Sequence, residues 1–398
     1  VLHKIAARDA DIPAIVAALE RGADPNAKNA ARQNFLHVLP RRFLRSLADN
    51  DWNGLIWVLQ RLNRFRIRFE DCDAFGRNFF HLVTHRGAVL DHNEFQVLKF
   101  LHIELIPSRD AFGWEPTMKD KVSTGSSGHD SVALRCPGSP VIADLSLSGA
   151  NYRKPLVEKG SSVSALLKAE ATVSSEEQAF LSKHARLIEA ARMAFEIPKI
   201  EDLEGRNGLQ CLAEASLTLS IDSENTPSGI SNKRKRGQAD ADASSMRLVL
   251  RYELVEQLIA AGVSLNNYDK QGNTVLMSFL THLHDGEDDK TLAKLLRHII
   301  QSGADVHLRN KYGESALHVA VRLGRKVATK ILLENGANVH ARTLEGKGVL
   351  AVGEMNYFKA REDQALYASI HACMALTVQY GAKAAPTLVQ EWQLCDDE

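Results

Sequence analysis

The chain has 398 residues, 44% of them hydrophobic, with 49 basic and 49 acidic side chains and a pI near 7.4. That balance provides no global field for a polyanion, which argues against direct nucleic-acid binding. No run of 18 apolar residues could cross a membrane, and Val1-Leu2-His3-Lys4 lacks the pattern of a signal peptide. Cys72, Cys136, Cys211, Cys373 and Cys395 are scattered, odd in number and without CxxC spacing, so they read as reduced thiols of a cytosolic or nuclear protein.

The chain opens inside a helical pattern at Leu2-His3-Lys4-Ile5-Ala6, with no turn before it, which predicts a segment of a longer protein. Ile12 to Arg21 is an amphipathic run stopped by Gly22-Ala23-Asp24-Pro25-Asn26. A glycine just past a helix can take positive φ and satisfy terminal carbonyls. Further on, Arg61-Leu62-Asn63-Arg64-Phe65-Arg66 stands where another such glycine is expected, and the local geometry there is left open. Phe79-Phe80-His81-Leu82-Val83 then starts a helix, and Glu94 to Ile106 supplies its partner.

Residues 117–174 contain Lys119 to Gly160, rich in Ser, Gly and Pro and without a sustained period, and predict a mostly disordered insertion. Helical pattern resumes over 175–203 with Ser175-Glu176-Glu177-Gln178 as cap and acidic first turn, either an accessory helix or the remnant of an eroded unit. A second insertion, 222–245, separates the helix at Leu209 from the one ending at Ala261. It holds Lys233-Arg234-Lys235-Arg236, the spacing of a monopartite nuclear localisation signal or simply a solvated charge run.

Toward the C-terminus a ten-residue beat becomes explicit. Gly303-Ala304-Asp305-Val306 precedes Lys311-Tyr312-Gly313, and Gly336-Ala337-Asn338-Val339 precedes Leu344-Glu345-Gly346 at the same spacing. Glu314-Ser315-Ala316-Leu317-His318-Val319-Ala320 lies between them. The leucine slot can be traced as Leu2, Leu36, Phe80, Leu209, Leu276, Leu317 and Leu350, which predicts seven units. A tight-turn slot carries Gly76, Gly205, Gly272, Gly313 and Gly346, with Arg32 in the second unit, and Asp73, Asp269 or Asn310 three residues earlier. Asn34, Asn78, Thr274 and Ser315 are placed to cap the helices that follow, at about 1 kcal/mol each, and His3, His37, His81 and His318 recur as a scaffold slot.

These motifs resemble the ankyrin repeat, most specifically over Gly303 to Thr343. The resemblance implies an all-α ankyrin-repeat solenoid with short projecting β-turn loops. N-terminal repeats would span 1–116 and C-terminal repeats 204–387, followed by an acidic tail at 388–398. It also implies recognition of one or more proteins by the concave surface, with no catalytic residue, cofactor or metal. Loop residues offered for contact are Lys28, Asn29, Glu70, Asp71, Asn267, Tyr268, Arg309, Tyr312, Arg342 and Leu344, with Tyr312 foremost.

Two other readings compete. The fragment could be a structural spacer of a larger regulatory protein, or His282, His284 and Asp285 could hold a catalytic metal. The second is weakened by the absence of a fourth well-spaced ligand. His81 and His85 lack the Glu of HExxH, and His371 and Cys373 are two positions apart on a helix, facing different ways. No phosphate-cradling glycine motif or nucleophile elbow appears, so enzymatic function is not expected.

Overall fold

The computed structural model describes residues 1–9, 11–29, 32–40, 42–44, 53–83, 98, 101, 103, 109–113, 134–135, 142–143, 175–217, 233–286 and 288–383. The N-terminal part contains α1 (Leu2–Asp9), α2 (Ile12–Glu20), a 3₁₀ turn (Phe35–Val38), α3 (Asn53–Asn63) and α4 (Phe79–Val83). The C-terminal part contains α5 (Ser175–Met193), α6 (Gly208–Glu214), α7 (Lys233–Ala260), α8 (Val275–His282), α9 (Asp289–Gln301), α10 (Ala316–Arg322), α11 (Lys326–Glu334), α12 (Val349–Lys359) and α13 (Gln364–Gln379). Among the described residues, the strands are one antiparallel pair inside the first insertion, Leu134–Arg135 against Ile142–Ala143. The rest of that insertion, the helix predicted at Glu94 to Ile106 apart from Leu98, Leu101 and Ile103, and the tail at 388–398 lie outside the described residues.

Among the described residues, a shorter inner helix pairs with a longer outer one in α1–α2, α6–α7, α8–α9, α10–α11 and α12–α13. In α9 the apolar positions Leu292, Leu295, Leu296 and Ile299 recur at helical spacing and are buried, while Asp288 caps the start by accepting from the Thr291 amide at 3.1 Å. Ser302 and Gly303, at φ +111°, end it. One face of one helix buries only a few such side chains, at about 1.5–3 kcal/mol each, so the units must stack. Inner helices α6, α8, α10 and α12 pack in succession, as do outer helices α7, α9, α11 and α13. Helix α5 packs directly on α6.

The apolar interior is divided. One cluster runs from Leu187 to Cys373, a second from Leu2 to Ile103, and a small third joins Phe75, Ala111, Tyr268 and Leu308. The division falls across the first insertion, so each part of the solenoid has a core of its own. The later part of the second insertion is helical. Helix α7 begins at Lys233, and the Ala-rich stretch Ala239 to Ala243 contains no proline to prevent it. Farther along α7, the buried Arg251 donates to the carbonyls of Leu212, Ala213 and Ala215, closing the C-terminal end of α6.

The recurring histidine slot is a strut between units. The amides of cap residues Asn34, Asn78 and Ser315 each donate to Nδ1 of His37, His81 and His318 at 3.2 Å. On the far side of the ring, Nε2 of His3 and His37 lies 2.7 Å from the Gln33 and Arg77 carbonyls, each just before the next cap. Gln210 serves the same slot: Oε1 accepts from the Asn207 amide at 3.1 Å and Nε2 donates to the Asn273 carbonyl at 2.9 Å. One side chain thus closes its own helix start and ties it to the following unit.

The doubtful glycine stop is resolved by a second strut. Asn266 Nδ2 donates to the Gly303 carbonyl at 3.0 Å and its Oδ1 accepts from the Asp305 amide at 2.9 Å. Asn26 makes the same two bonds to the Arg66 carbonyl, at 3.3 Å, and the Arg68 amide, at 2.9 Å. Arg66 therefore occupies the glycine slot, and it does so at φ +54°. A β-carbon in that region costs roughly 1–2 kcal/mol, so Arg66→Gly is expected to stabilise the chain by about 0.5–1 kcal/mol after the added freedom of the unfolded glycine, read as a raised urea midpoint.

Burial holds the His318 imidazole down to about 3, with the Arg309 charge acting in the same direction. The unfolded chain takes up that proton near 6.5, and the folded chain resists it down to about 3. The stabilising contribution is therefore complete above pH 6.5 and drains as pH falls toward 3, at up to about 1.4 kcal/mol per pH unit. His318→Gln, which reproduces the Gln210 arrangement without a titrating ring, is expected to flatten the loss of urea stability between pH 7 and pH 5.

Candidate partner-recognition surface

The surface is built on hairpin tips. In three of them a short acid or amide folds the turn: Asp73 Oδ1 accepts from Phe75 and Arg77 amides at 2.9 and 3.0 Å, Asp269 Oδ1 from Gln271 and Asn273 at 2.8 Å, and Asn310 Oδ1 from Tyr312 and Glu314 at 3.0 and 2.9 Å. Asp202 folds its tip in the same way through the Glu204 and Arg206 amides, both 2.9 Å away. Single antiparallel bridges Glu201↔Asn207, Tyr268↔Thr274, Arg309↔Ser315 and Arg342↔Gly348 then close the tips. Successive tips are stitched together, as where the Leu344 amide donates to the Tyr312 carbonyl at 2.9 Å.

One tip escaped the leucine count. Asp110-Ala111-Phe112-Gly113 repeats Asp73-Ala74-Phe75-Gly76 letter for letter, the Phe112 amide donates to Asp110 Oδ1 at 2.9 Å, and Gly113 has φ +84°. Its neighbour is the 73–76 tip, since the Ala111 amide donates to the Phe75 carbonyl at 2.9 Å. The repeated tetrapeptide was the available signal. Tracing the leucine slot missed it because that slot of this unit falls after Gly113, where the sequence loses its period.

The predicted contact residues separate into distinct environments. Tyr312 and Leu344 are the open ones, each 60% exposed on adjacent tips, with the Lys311 ammonium 5.2 Å from the Tyr312 ring centre. Glu70 is also exposed. Lys28 and Asp71 are tied to each other at 3.3 Å, and Asn29 folds its own tip through the Gln33 amide at 2.9 Å. Asn267 Nδ2 donates to the Gly205 carbonyl at 3.3 Å, and Arg342 is half-buried with its carbonyl accepting from Arg309 Nη1 at 2.7 Å.

Tyr268 and Arg309 depart from the expectation of projecting contacts. Only 1% and 5% of their surfaces are exposed, because tips of the N-terminal stack lie over them. Tyr268 joins the apolar cluster with Phe75 and Ala111, and the Arg309 amide donates to the Ala74 carbonyl at 2.8 Å. As they stand, both are interior residues. Lys233, Arg234, Lys235 and Arg236 form the first turn of α7.

On the concave side, between tips and inner helices, a polar cleft of ≈ 390 Å³ is lined by Lys183, Arg206, Glu214, Gln271, Thr281 and His282 among others. Glu214 is its electrostatic centre, held at 2.6 Å by Lys183 and directly by Arg206, with His282 Nε2 at 4.0 Å. Burial pushes the Glu214 carboxyl up, but the Lys183 hydrogen bond and the surrounding cations outweigh it and keep it below the ordinary range. Two units on, the pairing is charge-reversed: Glu314 after the tip glycine meets Arg322 at the inner-helix end at 3.1 Å. The order of acid and base is thus reversed between these two units.

Of the residues that suggested a metal, His282 lies beside Glu214 and Asp285 serves the scaffold, as do its neighbours Asp288 and Asp289. Asp285 Oδ2 accepts from the Val327 amide at 3.0 Å, Asp288 caps α9, and Asp289 Oδ1 accepts from the Gly286 amide at 2.8 Å. Among the described residues no three His, Cys, Asp or Glu side chains converge as a ligand set. Cys72, Cys211 and Cys373 are free thiols, and burial pushes the Cys72 thiol up to about 12. The different environments of the two tip tyrosines yield a direct test. Tyr268→Ala is expected to lower the unfolding free energy by about 3 kcal/mol or more, and Tyr312→Ala by about 0.5 kcal/mol or less, in urea titrations.

Comparison with known proteins agrees with this geometry. A family profile described as ankyrin repeats (3 copies) matches residues 246–343. A 91-residue stretch is 37% identical to the nuclear factor NF-kappa-B p105 subunit of Gallus gallus, covering 23% of this chain and 9% of that protein. Over 89 residues it is 34% identical to the B-cell lymphoma 3 protein homolog of Mus musculus, covering 22% and 19%. A putative ankyrin repeat protein of Acanthamoeba polyphaga mimivirus is 29% identical over 103 residues, 25% of this chain and 60% of its own length. The chain thus spans less than two thirds of each of these relatives. With the stacked helix pairs and hairpin tips, the match shows that the chain carries ankyrin repeats over residues 246–343.

Proposed function

We propose that the chain is a protein-recognition module whose contact edge is centred on the last hairpin tips. The observation that carries this reading is the pair Tyr312 and Leu344. Two large apolar side chains, each 60% exposed, sit side by side on adjacent tips whose backbones are hydrogen-bonded to each other. A rigidly held aromatic and aliphatic pair offers a partner apolar area at little cost in ordering, and Lys311 and the Glu345–Lys347 pair, 2.6 Å apart, add a charged rim. The polar cleft lined by Arg206, Glu214 and His282 adds directed polar groups for such a partner. A full-chain pull-down compared with Tyr312→Ala, Leu344→Ala checks this: capture is expected to fall at least tenfold while the thermal midpoint stays unchanged. Equal capture by both proteins would sink the reading.

The basic tetrad belongs to the same proposal as an address. Lys233 to Arg236 form the first turn of a helix whose later residues Leu254, Val255 and Leu258 lie in the core. One similar protein bears the name of a nuclear factor subunit. Replacing the four residues with alanine is expected to shift a fluorescently tagged chain from nucleus to cytoplasm, scored by imaging. An unchanged distribution would reject the tetrad as a signal.

A further inference from the structure

The N-terminal stack lies across the middle of the edge that the C-terminal stack would present. Phe75 and Ala111 of the two Asp-Ala-Phe-Gly tips pack on Tyr268 and Leu308, leaving all four no more than 8% exposed. The Arg309 amide donates to the Ala74 carbonyl at 2.8 Å. A side chain at Gly76 would strike the Tyr268 ring, so the approach is close. Arg109 locks one side: its Nη2 meets Glu201 Oε2 at 2.7 Å with both side chains almost fully buried, and its Nη1 donates to the Gly205 and Tyr268 carbonyls at 3.1 and 3.0 Å. Arg32 and Asp305 pair on the other side.

This junction differs from the joints within each stack. Consecutive units share continuous apolar clusters, whereas the junction has a separate cluster of four residues and a buried ion pair. An interface of that composition resembles one between domains, for which relative movement is the default. A buried ion pair gains little when formed, because both groups lose their hydration, yet losing one partner is severe. The junction is thus suited to opening as a unit.

We propose that the N-terminal stack is an intramolecular mask over part of the recognition edge, released when the Arg109–Glu201 lock opens. Undocking exposes Tyr268, Leu308 and Arg309 beside the already open Tyr312 and Leu344, extending the edge from the last tips to the centre of the C-terminal stack. The occupant of the covered edge is this chain's own pair of Ala-Phe tips. The inference rests on the recognition reading above for its purpose, but its geometry can be tested independently.

The test compares the full chain with Arg109→Ala by backbone hydrogen exchange, and both again carrying Leu308→Cys for labelling with N-ethylmaleimide read by peptide mass spectrometry. The mask predicts that the Arg309 amide exchanges at least tenfold faster in Arg109→Ala, and that Cys at position 308 labels at least tenfold faster, while amides inside α10 and α11 keep their protection. If those inner amides accelerate equally, or Arg309 and position 308 stay unchanged, the mask is overturned. A second arm places a site-specific protease sequence after Gly160 in the full chain. The cleaved pieces should co-elute on gel filtration and separate when Arg109→Ala is added. Separation without the substitution, or a concentration-dependent dimer that falls apart on cleavage, would also overturn it. Loss of Tyr312-dependent capture alone would refute recognition and leave the exchange result to decide the docking.

Discussion

Among the described residues no helix pair buries its own apolar face alone, and the rest of the architecture follows from that constraint. Helix α10 runs only from Ala316 to Arg322, yet Leu317, Ala320 and Val321 are fully buried because α8, α11, α12 and α13 surround it. Stability is then a matter of neighbours. Such an arrangement tolerates insertions between units, because loop-closure cost grows slowly with length, but it places a high demand on the geometry of each joint.

The joints are met by polar side chains that act twice. His37 and Gln210 each accept a cap amide on one atom and approach or bond a carbonyl of the next unit with another, so the helix start and the unit-to-unit register are set by one residue. Asn26 and Asn266 do the same for the glycine slot. Since both ends must be satisfied in a buried setting, a slip of register would leave several polar groups unpaired at once. The struts thereby fix the position of each tip they bond.

Much of this was legible in the sequence. The ten-residue beat, the closing glycines, the turn-forming Asp73, Asp269 and Asn310, and the histidine slot all report backbone requirements that only a few residue types meet, so they survive in the letters of the chain. The Gly113 tip was equally available as a repeated tetrapeptide, but its unit lacks the apolar helix pattern by which the others were counted. Arg66 was harder to place, because nothing in an arginine signals positive φ. Its slot is revealed only by the two bonds from Asn26.

Exposure of the tip residues was not legible at all. Tyr268 and Tyr312 fall in similar tip settings, both on polar hairpins after a closing glycine, yet one is 1% and the other 60% exposed. The sequence by itself determined the repeat, the fold class and the chemistry of most turns, because those depend on neighbours within one unit or the next. Only the tertiary structure decided which tips face solvent. That outcome depends on Phe75, Ala111 and Arg109 returning from the other side of a long insertion, a contact between residues more than a hundred positions apart that no local pattern encodes.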